Sequence, residues 1–329
     1  MISRRQVVCL LGTGALAAPF MSFAQQQPAK PARIGFLIPA SASSYASRVE
    51  ALRAGLRDLG YVEGKSFIIE FRWADGKYDR LPDLAAELVR LKVDVIVTGG
   101  TPGTRAAKQA TAAIPIVMAV SGDAIATGLI ASLARPGGNI TGTTYFDPEL
   151  HAKRLELLKE AIPRITRVGA LINPDNAQTM GTTLQALRLA AKSLKLELPI
   201  FEARSPNEFD GAFSGMGKKR VDAVAIADDP MFLGNLRAIA DLAANKRFPS
   251  TGAKEFAEAG GLIGYGVDFA GTFRRAAYFV DRILRGAKPS DLPVEQATKF
   301  ELVINGKTAE ALGVKIPQQL LPRADRVIK

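Results

Sequence analysis

The sequence has few of the residues on which many catalytic and metal sites depend. Its 329 residues include one cysteine, Cys9, and one histidine, His151. A lone cysteine excludes an intramolecular disulfide, and a lone histidine without a nearby cysteine argues against a zinc site. The same shortage removes Ser-His-Asp and Cys-His nucleophile schemes. We therefore expect neither metal nor thiol chemistry, and we expect His151 to lie on the solvated start of a helix.

Long apolar runs are also scarce, and the one apolar stretch of note is N-terminal. Arg4-Arg5 precedes the uncharged stretch Val7–Phe23, and Ser22-Phe23-Ala24 has the small-x-small pattern of a cleavage site. Residues 1–24 therefore predict an export signal and a periplasmic location, by the general secretory or the twin-arginine route. An uncleaved membrane anchor is the alternative, although the stretch is short for a bilayer span. Residues 25–32 have no periodicity and are typical of a tether.

The charge is strongly positive but dispersed. The net charge is +11, yet the 43 lysine and arginine residues form no run of five or six. The densest cluster, Lys218-Lys219-Arg220, precedes an apolar strand and is best interpreted as the solvated end of a helix. No aromatic residues flank it for base stacking, so we expect no nucleic-acid partner.

Nucleotide-binding loops are missing as well. The first apolar strand leads into Ala40-Ser41-Ala42-Ser43-Ser44, which contains no G-x-G-x-x-G pattern. Gly64-Lys65-Ser66 and Gly306-Lys307-Thr308 lack the leading glycine of a P-loop, and 136–139 is interpreted as a structural turn. We therefore expect no cofactor.

One pattern occurs twice in the chain. Arg33–Pro39, RIGFLIP, returns as Arg167–Pro174, RVGALINP, and Val93–Val97 is matched by Val221–Ala225. In both copies strands alternate with helices, which is typical of a parallel α/β sheet. The sequence therefore predicts an α/β fold with two Rossmann-like, doubly wound lobes. Because such sheets bind ligands at the carboxyl ends of their strands, the function is sought in the cleft between the lobes.

The later part of the chain is expected to pass between the lobes more than once. We assign 33–145 plus 251–287 to lobe 1 and 146–250 plus 288–329 to lobe 2, which makes a three-segment hinge. In this assignment Pro249–Gly252 is a crossing segment.

Candidate ligand contacts follow the predicted strands. In the first lobe, hydroxyls and amides near helix starts suit a carboxylate or similar anion. In the opposite lobe, side-chain carboxylates could bind an amino group, and tyrosines near the crossings could form the walls for an apolar portion. Each residue could instead be a cap or a turn former. The candidates are Ser41, Ser44, Thr101, Ser121, Asp123 and Tyr145, and then Asn173, Asp228 and Tyr265.

Several stretches together resemble one family. They are Tyr61–Lys65 (YVEGK), Phe71–Gly76 (FRWADG), Arg80–Pro82 (RLP), Thr98–Pro102 (TGGTP), Arg135–Gly142 (RPGGNITG), Lys153–Leu158 (KRLELL) and Thr298–Asn305 (TKFELVIN). With these stretches, the chain resembles tryptophan/tyrosine-type substrate-binding proteins of ABC importers over almost all of its exported part. It departs from them at Ala40–Ser43, where relatives often carry a Ser-Gly-Ser-Pro type of loop.

The resemblance implies a type I periplasmic binding protein. Such a protein is a monomeric receptor that closes on a small molecule, here an amino acid or an aromatic or amide compound, and delivers it to a membrane permease. The nine candidate residues would fall near that family's cleft. Two alternatives stay open: an enzyme of the doubly wound class acting on a small carboxylate or amide through Asp228-Asp229, and a ligand-sensing domain. The second is disfavoured because 1–32 leaves no room for a helix-turn-helix.

Overall fold

The computed structural model describes residues 30–145 and 147–329. The predicted export signal, 1–24, and most of the predicted tether lie outside the described residues. No helix in the described ranges is long and apolar enough to cross a membrane.

Strands and helices alternate along the described chain. The strands are Ala32–Ile38 (β1), Phe67–Trp73 (β2), Val95–Gly99 (β3), Ile116–Ser121 (β4), Ile140–Thr144 (β5), Val168–Ile172 (β6), Ile200–Glu202 (β7), Ala223–Ile226 (β8), Ser250–Gly252 (β9), Ile263–Gly266 (β10), Glu295–Gln296 (β11), Glu301–Asn305 (β12) and Arg326–Ile328 (β13). The helices are Ala46–Asp58 (α1), Leu81–Arg90 (α2), Thr101–Ala110 (α3), Asp147–Ala161 (α4), Ala177–Ser193 (α5), Phe209–Lys218 (α6), Pro230–Leu233 (α7), Leu236–Asn245 (α8), Lys254–Glu258 (α9), Phe269–Leu284 (α10) and Gly306–Leu312 (α11).

The strands form two sheets with the same internal order. The first runs β2-β1-β3-β4-β5-β11 and is parallel throughout. The second runs β7-β6-β8-β9-β10-β12-β13, and only the β10–β12 pair is antiparallel among the described strands. The first five strands of each lobe thus follow one topology. The predicted doubly wound α/β class with two Rossmann-like lobes is confirmed.

The repeated sequence motif makes the same contacts in each lobe. The Arg33 amide donates to Asp94 Oδ2 at 2.6 Å, and the Arg167 amide donates to Asp222 Oδ2 at 2.9 Å. Burial opposes ionisation of Asp222, but hydrogen bonds from Thr166 and Arg167 outweigh it and lower the pKa of its carboxyl. In each lobe this aspartate therefore ties the start of one strand to the start of its neighbour.

Helices cover both faces of each sheet. In the first lobe α1 and α10 pack together on one face, and α2 and α3 on the other. In the second lobe α4 and α5 form one layer, and α6 and α8 the other. Parallel strands buried on both faces explain the nearly continuous apolar runs in the sequence.

The chain returns to the first lobe later than the sequence predicted. β9 and β10 both belong to the second sheet, so residues 251–266 lie in the second lobe rather than the first. The first-lobe segment begins with α10, which packs against α1, and it continues through β11. The passages therefore follow β5, β10 and β11. The cause of the misassignment is local, because β9 has only three residues and follows a proline, so its sequence resembles a connection.

Candidate functional site

A cavity lies between the two lobes, at the carboxyl ends of the strands. Its first-lobe walls come mainly from the residues at the ends of β3, β4 and β5, and its second-lobe walls from the residues that follow β6 and β8. Its volume is small, about 20 Å³. The lining residues are Tyr45, Gly100, Thr101, Val120, Ser121, Gly122, Tyr145, Asn176, Asp228, Asp229, Pro230, Leu233 and Phe269.

The lobes touch each other beside this cavity. Tyr78 of the first lobe donates its hydroxyl hydrogen to Asp229 Oδ1 of the second at 2.8 Å, and accepts from the Met231 amide at 3.3 Å. At Gly100 an added Cβ would lie 2.5 Å from Pro230 Cγ, so the Gly100 backbone meets the Pro230 ring with no room for a side chain. The cleft is therefore closed in this structure.

Two hydroxyls form the polar wall of the first lobe. Thr101 Oγ1 and Ser121 Oγ lie 3.0 Å apart, and both side chains are buried. Thr101 begins α3, and Gly100 before it has a φ of 83°, a left-handed conformation that glycine adopts without steric cost. Hydroxyls at a helix start suit the oxygen atoms of a carboxylate.

In the second lobe the carboxylate of Asp228 is already paired. Arg154 of α4 binds it in a bidentate manner, with Nη1–Oδ1 at 2.8 Å and Nη2–Oδ2 at 2.9 Å, and both side chains are buried. The Nε of Arg154 also donates to the carbonyl of Tyr265 at 2.7 Å. Asp228 therefore lines the cavity as half of an internal ion pair.

His151 belongs to the same group, which corrects the expectation of a solvated position. It is only 2% exposed, and its Nε2 accepts from the Asp228 amide at 3.3 Å. The reason is that His151 lies one helical turn before Arg154, so both side chains lie on the same face of α4. This face is turned toward the end of β8. Within the described residues no group of three His, Cys, Asp or Glu side chains could hold a metal ion.

Asp229 is surrounded by neutral donors. Its Oδ1 accepts from Asn173 Nδ2 at 3.1 Å and from the Met231 amide at 3.0 Å, in addition to Tyr78, and its Oδ2 accepts from Asn176 Nδ2 at 3.1 Å. Burial raises the pKa of Asp229, although these hydrogen bonds oppose the shift. Burial and the neighbouring Asp229 raise the pKa of Tyr78 well above 10, so its hydroxyl stays a donor.

Aromatic rings form the remaining wall. Tyr145 packs edge-on against Phe269, with ring centroids 6.0 Å apart, and Tyr45 is almost completely buried. The Arg48 guanidinium lies 4.6 Å from the centre of the Tyr45 ring and 5.6 Å from that of Phe269. Such a wall suits an apolar or aromatic ligand portion beside the polar strand ends.

A further carboxylate, Glu255 on α9, lies next to this wall. Its Oε1 accepts from the Phe269 amide at 3.4 Å, and its Oε2 is shielded from solvent without a hydrogen-bond partner among the described residues. Burial raises the pKa of Glu255, while the positive charge of Arg48 opposes the shift. Phe269, whose amide it contacts, lines the cavity, so the Glu255 carboxylate lies next to the cavity wall.

The structure brings together four of the nine candidate residues, Thr101, Ser121, Tyr145 and Asp228, as cavity walls. The other five do not line the cavity. Ser41 and Ser44 bond to each other at 3.1 Å, and Asp123 accepts from the amides of the turn that it begins. Asn173 lies behind Asp229, and the ring of Tyr265 lies 6.1 Å from that of Phe300 in a groove at the lobe crossing.

Some cavity and neighbouring residues were not predicted. Tyr45 and Phe269 stand where a helix begins near the cleft, so an aromatic residue at a helix start was an available signal. Arg154 was visible only as part of the Lys153–Leu158 stretch. Glu255 was missed because β9, which precedes it, was interpreted as a crossing segment.

Two lobes of one topology around an interlobe cavity define a class, the two-lobed small-molecule-binding proteins of the type I periplasmic fold. Residues 33–328 match the family model described as ABC transporter substrate binding protein. The chain belongs to this family, as its sequence motifs implied.

One named protein and two solved structures are similar to this chain. The chain is 28% identical over 262 residues to a tyrosine-binding protein of Clostridioides difficile, covering 79% of this chain and 74% of the relative. It is similar to a crystal structure of a conserved domain protein from Vibrio cholerae, with a TM-score of 0.83 and 27% identity over 91% of this chain and 100% of the other. It is also similar to an ABC domain in complex with L-Trp from Streptococcus pneumoniae, with a TM-score of 0.80 and 28% identity over 90% of this chain and 100% of the other.

Proposed function

We propose that this protein is an extracytoplasmic, monomeric receptor that closes on an aromatic amino acid and delivers it to the permease of an ABC importer. The observation that carries this proposal is the interlobe cavity, in which the rings of Tyr45, Tyr145 and Phe269 adjoin the hydroxyls of Thr101 and Ser121. An aromatic side chain beside a carboxylate would match these two walls.

The known ligands of two relatives support the same class of ligand. One relative is named for tyrosine, and a solved structure with 28% identity contains L-Trp. Binding across two lobes suits delivery, because a ligand that contacts both lobes favours the closed form and a permease can distinguish closed from open. A catalytic role for Asp228 gains no support, since Arg154 occupies its carboxylate.

A thermal-shift screen tests the proposal. The purified mature chain is mixed with L-tryptophan, L-tyrosine, L-phenylalanine, L-leucine, benzoate and benzamide at increasing concentration. A ligand that binds only the folded protein raises its melting temperature in a concentration-dependent way. We expect the aromatic amino acids to give the largest shifts.

Paired variants locate the binding in the cavity. Tyr145→Leu should weaken the binding of the best ligand about tenfold or more, because it removes an aromatic wall. Tyr278→Leu, on the far part of α10, is the matched control and should leave the affinity unchanged. If no compound in the screen shifts the melting temperature, or if both variants bind like the wild type, the proposal is wrong.

A further inference from the structure

Three carboxylates lie in or beside the closed cleft, and two of them already have their donors. Asp228 is held by Arg154 through both oxygens, and Asp229 accepts from Tyr78, two asparagine amides and a backbone amide. Neither carboxylate needs a ligand to complete its hydrogen bonds. The group predicted from the sequence to receive an amino group, Asp228, is therefore poorly suited to that task.

Glu255 differs from both. Its Oε2 is shielded from solvent and has no hydrogen-bond partner in residues 30–145 and 147–329, and the donors to the carboxylate are backbone amides, that of Phe269 at 3.4 Å from Oε1 and that of Glu255 itself. A buried carboxylate oxygen without a donor is unfavourable, because the lost hydration is not replaced. The site is therefore one hydrogen-bond donor short.

The cations nearest to Glu255 do not supply that donor. Lys254 directs its ammonium to Asp268 at 3.4 Å and Glu301 at 3.3 Å. Arg48 donates to the carbonyl of Ser44 at 3.3 Å and lies over the Tyr45 ring. Arg48 attracts Glu255 electrostatically but forms no ion pair with it.

The internal repeat places Glu255 on the cavity side of the sheet. β9 occupies the position in the second sheet that β4 occupies in the first, and β4 ends at the cavity-lining Ser121. Glu255 follows the end of β9 by three residues and bonds to Phe269, which lines the cavity. The missing donor can therefore come from a molecule held between the lobes.

We propose that Glu255 is the ligand-recognition carboxylate of this receptor, and that it accepts the protonated amino group of the bound molecule. This inference rests on the proposed function and narrows its ligand class: the receptor takes amines, amino acids among them, and discriminates against the corresponding carboxylates that lack the amino group. Arg48, on the first-lobe side, stabilises the charge of Glu255 from a distance.

Pairs of compounds that differ only in the amino group test the inference. The pairs are L-tryptophan with 3-(indol-3-yl)propionate, L-tyrosine with 3-(4-hydroxyphenyl)propionate, and L-leucine with 4-methylpentanoate, each titrated by calorimetry. We expect the wild type to prefer the amino acid in at least one pair by about tenfold or more, as a charge-assisted hydrogen bond requires. Glu255→Gln should weaken that amino acid about 10- to 100-fold and change the affinity of its partner by less than about twofold.

Glu258→Gln is the matched control. Glu258 lies on the same helix, is exposed and pairs with Arg326, so its loss should leave all affinities unchanged. A Glu255→Gln protein that melts no lower than the wild type and loses only the preference for the amino group supports recognition rather than a structural role.

The outcomes separate the inference from the proposed function. If the wild type binds both members of a pair equally, or if Glu255→Gln retains the preference, the inference is overturned while the receptor function stands. If none of the amino acids binds but a carboxylate partner, benzoate or benzamide does, the inference is overturned together with the aromatic amino acid as ligand, while a receptor function stands. If nothing binds to the wild type, the proposed function fails and the inference fails with it.

Discussion

The cleft stabilises its buried charges in different ways at the scale of single residues. Asp228 relies on one strong cation, Arg154, whereas Asp229 relies on several neutral donors. In a buried ion pair the attraction between the partners offsets the cost of their desolvation, but removal of one partner leaves the other without solvent and without a counter-ion. The stability of the second lobe should therefore depend strongly on Arg154, even though this residue lies beside a cavity.

Arg154→Met should destabilise the protein by about 3–5 kcal/mol, because the carboxylate of Asp228 stays buried and unpaired. The double variant Arg154→Met/Asp228→Leu should recover at least half of that loss, since it removes the orphaned charge as well. Urea denaturation at pH 7 followed by circular dichroism measures both. A loss below about 1 kcal/mol for the single variant, or a double variant no more stable than the single one, would contradict this account.

The stability of the ligand-free protein should carry a pH signature of Glu255. Burial raises the pKa of this carboxyl in the folded state. Glu255 therefore contributes to folding stability at a pH below its pKa in the unfolded chain. This contribution is lost as the pH rises through its pKa in the folded protein. Glu255→Gln has no such loss, so its free energy of unfolding relative to the wild type should increase between pH 4 and pH 7.

The pKa of Asp229 is also raised in the folded state, but Asp229 is present in both the wild type and the Glu255→Gln variant, so its effect cancels in this comparison. Arg48 and Lys254, the cations near Glu255, keep their charge throughout this range. Urea midpoints at four pH values give the measurement, and Glu258→Gln, whose carboxyl is exposed, serves as control. A constant difference across the range would mean that the pKa of Glu255 is the same in the folded and unfolded states.

Packing at the scale of elements depends on glycine at one helix contact. α1 and α10 cover one face of the first sheet, and Gly55 lies where they meet. An added Cβ there would lie 2.5 Å from the carbonyl oxygen of Arg274 and 2.7 Å from the Cβ of Ala277. One of these atoms belongs to the backbone of α10, and the other is the first side-chain carbon of a residue in that helix. They can therefore move only if the whole helix moves.

Gly55→Ala should therefore destabilise the protein by about 1–3 kcal/mol, although alanine is the better helix former. Gly211→Ala in α6 is the counterpart, because nothing lies within 4 Å of its added Cβ. That change should stabilise the protein by about 0.5–1 kcal/mol through helix propensity alone. Thermal and urea denaturation of the two variants should shift in opposite directions, and equal shifts would disprove the close-contact explanation.

The sequence predicted the elements well where periodicity or repetition marked them. The two copies of the apolar motif correspond to β1 and β6, and the matched aspartates Asp94 and Asp222 make matching bonds. β9 was not recognised, because three residues that follow a proline and end in a glycine carry no periodic signal. Its place is fixed by pairing with β8 and β10, which are distant in sequence.

Predictions of the site failed for a related reason. Thr101, Ser121, Tyr145 and Asp228 were found because each ends or follows a strand, and strand ends meet at the cleft. Whether a strand-end side chain faces a ligand or another residue depends on partners far along the chain. The partner of Asp228 is Arg154, 74 residues earlier, and no local pattern links the two.

Closure is the property of the whole molecule on which the proposed function depends. The lobes meet through the Tyr78–Asp229 hydrogen bond and through the contact of Gly100 with Pro230. A receptor whose closed form is made rarer binds its ligand more weakly in the same proportion, because only the closed form makes all contacts. A side chain at the Gly100–Pro230 contact should therefore hold the lobes apart.

Gly100→Ala should lower the affinity for L-tryptophan, or for the best ligand of the screen, about tenfold or more and keep the ligand-saturated protein expanded. Its Cβ would lie 2.5 Å from Pro230 Cγ across the cleft. Gly64→Ala is the control for backbone strain, since its φ of 81° is close to the 83° of Gly100 and nothing lies within 4 Å of its added Cβ.

Small-angle X-ray scattering with and without ligand should show contraction for the wild type and Gly64→Ala but not for Gly100→Ala. Adding Pro230→Ala to Gly100→Ala should restore both contraction and affinity, because it removes the ring atom that blocks closure. If the Gly100→Ala protein contracts like the wild type, the Gly100–Pro230 contact does not limit closure.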